Sequence, residues 1–133
     1  MIELNKFMKY KIDDKSSYKL LNITILKKEM SNDEKKEIIE FMQKLINNSD
    51  IKYKILIDFS NITNIDHNDV TNILYLYEEK YKMIIDNNII QIIAIIPNII
   101  ISNAVKFFLY FNDLGISIKI VEDIDDVNNI LDD

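Results

Sequence analysis

The sequence predicts an α/β fold with a mostly parallel sheet. Two observations carry this: short β-branched runs alternate with helical segments along the 133 residues, and the helical segments opening at Ser31 and near Asp66 each carry an apolar stripe. Strands that alternate with helices run parallel and are joined by right-handed crossovers. A third observation concerns the strands themselves. Most alternate apolar with polar residues, whereas a parallel sheet covered on both faces has near-continuous apolar strands. The helices are therefore expected mainly on one face. The expected order is β-β-α-β-α-β-α-β-α, with an N-terminal antiparallel strand, in a single domain over residues 1–133.

Phe7 to Ile12 reads as a short strand, "DDKSS" as a turn, and Tyr18 to Lys27 as a second strand, together an antiparallel hairpin. "SNDEKKEIIEFMQKLINN" opens a helix. Ser31 is its N-cap and Glu34 completes a capping box, while Ile38, Phe41, Met42 and Leu45 share a face. Ile51 to Phe59 is the next strand. A helix starting near Asp66 carries Val70, Ile73, Leu74, Tyr77, Tyr81 and Ile84 on a broad stripe. Ile89 to Ile96 is a strand and Asn98 to Leu114 a helix that Gly115 ends as C-cap. Ile116 to Val121 is the last strand, and Asp125 to Leu131 a short helix. With one Gly and one Pro, the turns depend on Asn, Asp and Ser.

The alternation assigns Leu20, Leu26, Leu56 and Val121 to the face away from the helices, among Asn22, Thr24, Lys54 and Lys119. Such a patch needs a cover. The N-terminal segment from Met1 to Tyr10 is the expected one, since Ile2, Leu4, Phe7 and Met8 have no other assigned place; a second copy of the chain is the alternative.

Composition excludes several functions. A net charge of −6, with lysines interspersed among acids, argues against nucleic-acid binding. The absence of cysteine excludes disulfides, thiol catalysis and Cys-based zinc sites. Asn87 to Val105 carries no charge, but Pro97-Asn98 breaks it and Gln91, Ser102 and Asn103 dilute it, so it reads as strand, turn and helix and not as a membrane span. The N-terminus has no apolar core of signal-peptide length. A cytoplasmic protein without membrane attachment is expected.

The junction "DFSNITNIDHNDV", Asp58 to Val70, passes from a strand end through a polar turn into a helix. Its spacing and the order of elements around it resemble the STAS domain of bacterial anti-sigma-factor antagonists, with "IIQIIAIIPNIIISNAVKFFLYFNDLGISIKIVEDIDDVNNIL" similar to the close of the divergent SEC14-like branch. The family motif ends a strand with Asp and opens a helix with Asp-Ser-Ser-Gly. Asp58 and Asp66 match the two aspartates, while His67, Asn68 and Asp69 stand at the serines and the glycine. The resemblance implies that the second serine position is the phosphoacceptor. Asn68 holds that position here and has no hydroxyl.

Other readings of these residues are less economical. His67, the single histidine, sits between Asp66 and Asp69; a metal ligand or general base needs further partners that the chain does not supply, so it reads as a first-turn helix residue. Asp66 suits an N-cap, and Asp69 the positive end of the helix dipole. A response-regulator receiver would need a helix after Asp13-Asp14, where a strand is expected. The acidic close has neither the central Gly nor the terminal Glu of an EF-hand, so Asp123, Asp125 and Asp126 read as helix-start residues. Tyr75, Tyr77, Tyr81, Phe107, Phe108, Tyr110 and Phe111 read as core and not as a ligand pocket.

The expected function is that of a non-enzymatic regulatory module that binds a protein, with no catalytic residue, metal or cofactor. The expected partner-binding residues are Asp58, Ser60, Asn61, Thr63, Asp66, His67, Asn68 and Asp69. The resemblance implies a kinase-like anti-sigma factor or another regulatory protein as partner, with the chain a monomer or homodimer. A small-ligand or lipid-binding module of SEC14-like type is the alternative.

Overall fold

The computed structural model describes residues 7–47, 50–63, 88–111 and 117–131. Strand β1 (Met8–Asp14) turns through Lys15–Tyr18, where the Lys15 N–H donates to the Tyr18 carbonyl at 2.9 Å, into β2 (Lys19–Ile25). Helix α1 (Asn32–Asn47) leads to β3 (Tyr53–Asp58). After residues 64–87 come β4 (Ile89–Ile95), α2 (Ile99–Phe111) and β5 (Ser117–Val121). A 3₁₀ turn (Ile124–Asp126) and a short helix α3 (Val127–Leu131) close the described chain. The helix expected from Asp66, the Gly115 cap and Met1 to Lys6 lie outside the described residues.

The five strands lie in the order β1-β2-β3-β4-β5; β1 is antiparallel to β2 and every other pair is parallel. This order explains where the helices go. Right-handed crossovers between strands laid down in one direction bring each connecting helix to the same face. Ile38, Ile39, Met42 and Ile46 of α1 and Val105 of α2 accordingly share one buried cluster with Leu21, Ile23, Ile25, Ile55, Ile57, Ile92 and Ala94 of the sheet. Most of the sheet's contribution is isoleucine, a β-branched residue that fits a pleated surface.

The second face holds its own smaller core of Leu20, Leu56, Ile93, Ile95 and Val121. Its cover is α3, whose Val127 is buried and whose Ile130 and Leu131 are half-buried against the cluster. The N-terminal segment, as far as it is described, does not serve this role. Phe7 and Met8 are fully buried in the first cluster. The hairpin register decides this, because the turn sets Met8 opposite Ile25 and so on the helix-bearing side.

Local chemistry fixes the remaining joints. Ser31 and Glu34 form the expected reciprocal capping box: the Glu34 N–H donates to Ser31 Oγ at 3.2 Å and the Ser31 N–H to Glu34 Oε1 at 2.9 Å. Asn98 caps α2, its Oδ1 accepting from the N–H groups of Ile100 and Ile101. Asn88 Nδ2 donates to the Ile46 carbonyl, one of the acceptors that the last turn of α1 leaves without a helical partner. Between β3 and β4 the register shifts, so that Tyr53 opposes Ile89 and Lys54 opposes Gln91, with Ile90 unopposed.

Two aromatic residues depart from expectation. Phe107 and Tyr110 are exposed and not core. The buried line of α2 runs through Ser102 and Val105 with Ile101 and Leu109 half-buried, and at helical spacing this sets residues 107 and 110 on the outer side.

Candidate functional site

The C-terminal ends of the parallel strands bring three connections together: residues 26–31 after β2, 59–63 after β3 and 96–98 after β4. Three of the predicted residues lie in the middle connection and a fourth, Asp58, at the strand end before it, and hydrogen bonds hold each part. Asp58 ends β3, and its Oδ1 accepts the Ser60 N–H at 2.8 Å, a side chain closing the turn in place of a backbone group. The Phe59 N–H continues the ladder to the Ile95 carbonyl at 3.0 Å, and the Ile62 N–H returns to the Phe59 carbonyl at 3.1 Å. Phe59 is buried in the main core and Ile62 packs against it. The turn is therefore anchored from beneath.

Two longer-range bonds tie it sideways. Asn61 Nδ2 donates to the carbonyl of Ile25 at 3.0 Å, and the Thr63 N–H to that of Lys28 at 3.0 Å. Ser60, Asn61 and Thr63 are themselves exposed, so the loop presents polar groups from a fixed backbone. Asp66, His67, Asn68 and Asp69, the other predicted residues, lie outside the described residues.

Beside the loop, Lys27 Nζ meets Glu34 Oε2 at 2.8 Å. Burial on its own raises the Glu34 pKa. The hydrogen bonds from Lys27 and from the Ser31 N–H and hydroxyl, with the Lys27 charge, outweigh it and hold the carboxyl below its ordinary value of 4.5. Glu34 is 8% exposed and committed to the cap, so it works as a structural acceptor and not as an acid or base.

The same edge has features that the strand and motif patterns did not single out. Ile99 and Ile100, at the start of α2, are 61% and 78% exposed, next to the connection that leaves β4. Behind them Ser102, fully buried, donates to Glu122 Oε1 at 3.2 Å, and Lys106 Nζ reaches the same oxygen at 3.2 Å. This joins α2 to the end of β5. Ser102 and Lys106, four residues apart in a mostly apolar helical run, were the signal available for it. Among the described residues, no three His, Asp or Glu side chains converge where they could hold a metal ion, and no described helix is long and apolar enough to cross a membrane.

A groove of about 340 Å³ lies on the β1–β2 part of the sheet and is lined by Lys9, Tyr10, Lys11, Asn22 and Thr24. Its lining combines lysine, amide and hydroxyl groups with the Tyr10 side chain.

No protein-family model matches the chain, and no curated protein sequence matches it significantly. Among solved structures it is similar to an uncharacterized protein of the DUF3478 family, with a SpoIIAA-like fold, from Shewanella loihica PV-4. The two share 14% identity over 94% of this chain and 93% of that one, with a TM-score of 0.61. The hairpin, the sequentially ordered parallel strands and the helices gathered mainly on one face are thus those of a SpoIIAA-like, STAS-type fold.

Proposed function

We propose that the chain is a non-enzymatic regulatory module that binds another protein at the C-terminal edge of its sheet. One observation carries this reading: the aliphatic pair Ile99 and Ile100 stands exposed at the same edge as a polar loop held by Asp58, Asn61 and Thr63. Apolar side chains beside fixed polar groups make a surface that loses little freedom on binding. The partner-facing residues are Ser60, Asn61 and Thr63 of that loop, with Asp66, His67, Asn68 and Asp69 completing the motif. Because Asn68 has no hydroxyl, control by phosphorylation at that position is not part of the function.

The test is partner capture from extract of the source cells, using the intact chain, an Ile100→Asp variant and an Asn61→Ala variant. The expected result is one stoichiometric protein retained by the wild type and lost with Ile100→Asp, with the variant's circular dichroism unchanged. Retention that ignores both substitutions removes this edge from the function. Stoichiometric phosphate on Ser60, Thr63 or Thr71 in protein isolated from those cells overturns the phosphorylation-independent reading.

A further inference from the structure

Strand β1 is one edge of the sheet, and among the described residues nothing pairs with its outer side. Which of its backbone groups point outward follows from the hairpin. The Leu26 N–H donates to the Phe7 carbonyl at 2.8 Å and the Lys15 N–H to the Tyr18 carbonyl at 2.9 Å. These are hydrogen-bonded pairs, and along an antiparallel ladder such pairs alternate with non-bonded ones. Lys9, Lys11 and Asp13 therefore direct their N–H and C=O groups to β2. Met8, Tyr10, Ile12 and Asp14 direct theirs away from the sheet.

The side chains add a second constraint. On the helix-bearing side Tyr10 and Ile12 are 49% and 36% exposed. On the other side stand Lys9, Lys11 and Asp13, with Lys11 Nζ 3.7 Å from Asp13 Oδ2. Lysines on an edge strand ordinarily discourage pairing with other chains. Their spacing from Asp13 makes one exception.

We infer that β1 is the site of homodimerisation, pairing antiparallel with β1 of a second copy in a register centred on Lys11. In that register Met8 opposes the partner's Asp14, Lys9 opposes the partner's Asp13, and Tyr10 opposes the partner's Ile12. Every outward-facing residue then meets another outward-facing residue, which the ladder requires. The charges meet as two lysine–aspartate pairs and the apolar groups as two tyrosine–isoleucine pairs, the kinds of cross-strand contact that stabilise sheets. Lys11 meets its own counterpart on the axis, where each is already beside an Asp13.

The neighbouring registers of correct parity are worse. Displaced one way, Lys9 opposes the partner's Lys11 in two places. Displaced the other way, Lys11 keeps two pairs with the partner's Asp13, but Lys9 opposes the partner's Lys15 and Tyr10 the partner's Asp14, each in two places. The contact is isologous, with its two-fold axis normal to the sheet, so two five-stranded sheets become one with α1 and α2 of both copies on a common side. The same lysines that repel other strands thus select a second copy of this chain.

Sedimentation equilibrium of the full chain, up to a concentration of about 1 mM, tests the proposal. The wild type is expected to approach twice the chain mass. Ile12→Pro removes an outward N–H and no bond to β2, so it should give a folded monomer. Lys9→Asp sets aspartate against the partner's Asp13, and Asp13→Lys sets lysine against the partner's Lys9. Each should weaken association about tenfold or more, counting two altered pairs per dimer. The double variant Lys9→Asp with Asp13→Lys restores the pairs and should restore the dimer. A wild type that stays monomeric overturns the proposal, and so does a dimer indifferent to Ile12→Pro. Failure of the double variant to recover association overturns the register.

Discussion

The two faces of the sheet bury aliphatic side chains almost equally well and are built in different ways. The helix-bearing face is covered by α1 and α2, which the crossovers deliver there, and its cluster runs from Phe7 to Val105. Among the described residues the other face is covered by α3, with Tyr18 at its side, and its cluster is a compact group around Leu56, Ile93 and Ile95. The difference teaches that strands laid down in sequential order solve only half of the burial problem. The crossovers described deliver their helices to the first face, so the second is covered by a segment that follows the last strand.

Ile55 and Leu56 are neighbours on β3 that point to opposite faces, and truncating each is the sharpest way to compare them. Ile55→Ala, under the larger and more constrained core, should cost about 4 kcal/mol in urea unfolding. Leu56→Ala should cost less, about 2–3 kcal/mol, because one short helix can settle into the space left behind. Equal losses would mean that α3 is held as firmly as α1. Val127→Ala thins the cover itself and should cost about 1 kcal/mol.

The smallest expected effect lies at the start of α1. The Glu34 carboxyl is held below its ordinary value of 4.5 in the folded chain. A group of this kind contributes stability above its unfolded pKa and loses it as the pH falls through the folded one. Stability should therefore decline from about pH 4.5 downward, and Glu34→Gln should flatten that decline relative to the wild type. A variant that follows the wild-type curve would remove Glu34 from the acid response.

Much of this was legible because it is local. Ser31 and Glu34 form their capping box from spacing alone, and the alternation along β2 and β3 separates Leu21 and Ile55 from Leu20 and Leu56 correctly. Asp58 closing its own turn onto Ser60 is likewise a short-range event. What the pattern did not carry is non-local. Asn61 finds its acceptor at Ile25 only after β2 and β3 lie side by side. Met8 falls on the helix-bearing side because the hairpin turn sets its register, and hydrophobicity says nothing of that parity. The cover of the second face was present as Val127, Ile130 and Leu131 at helical spacing, in a segment otherwise dominated by acids and asparagines.

The sequential strand order also governs how the chain meets its surroundings while it is being made. Each parallel strand docks on the one synthesised just before it, so the sheet can grow from its N-terminal hairpin as translation proceeds. Throughout that growth Leu20, Leu56 and Ile93 lack their α3 cover, because residues 127–131 are synthesised after all five strands. A ribosome stalled just short of Val127 would display a nearly finished domain with a sticky back, the kind of nascent chain on which chaperones act.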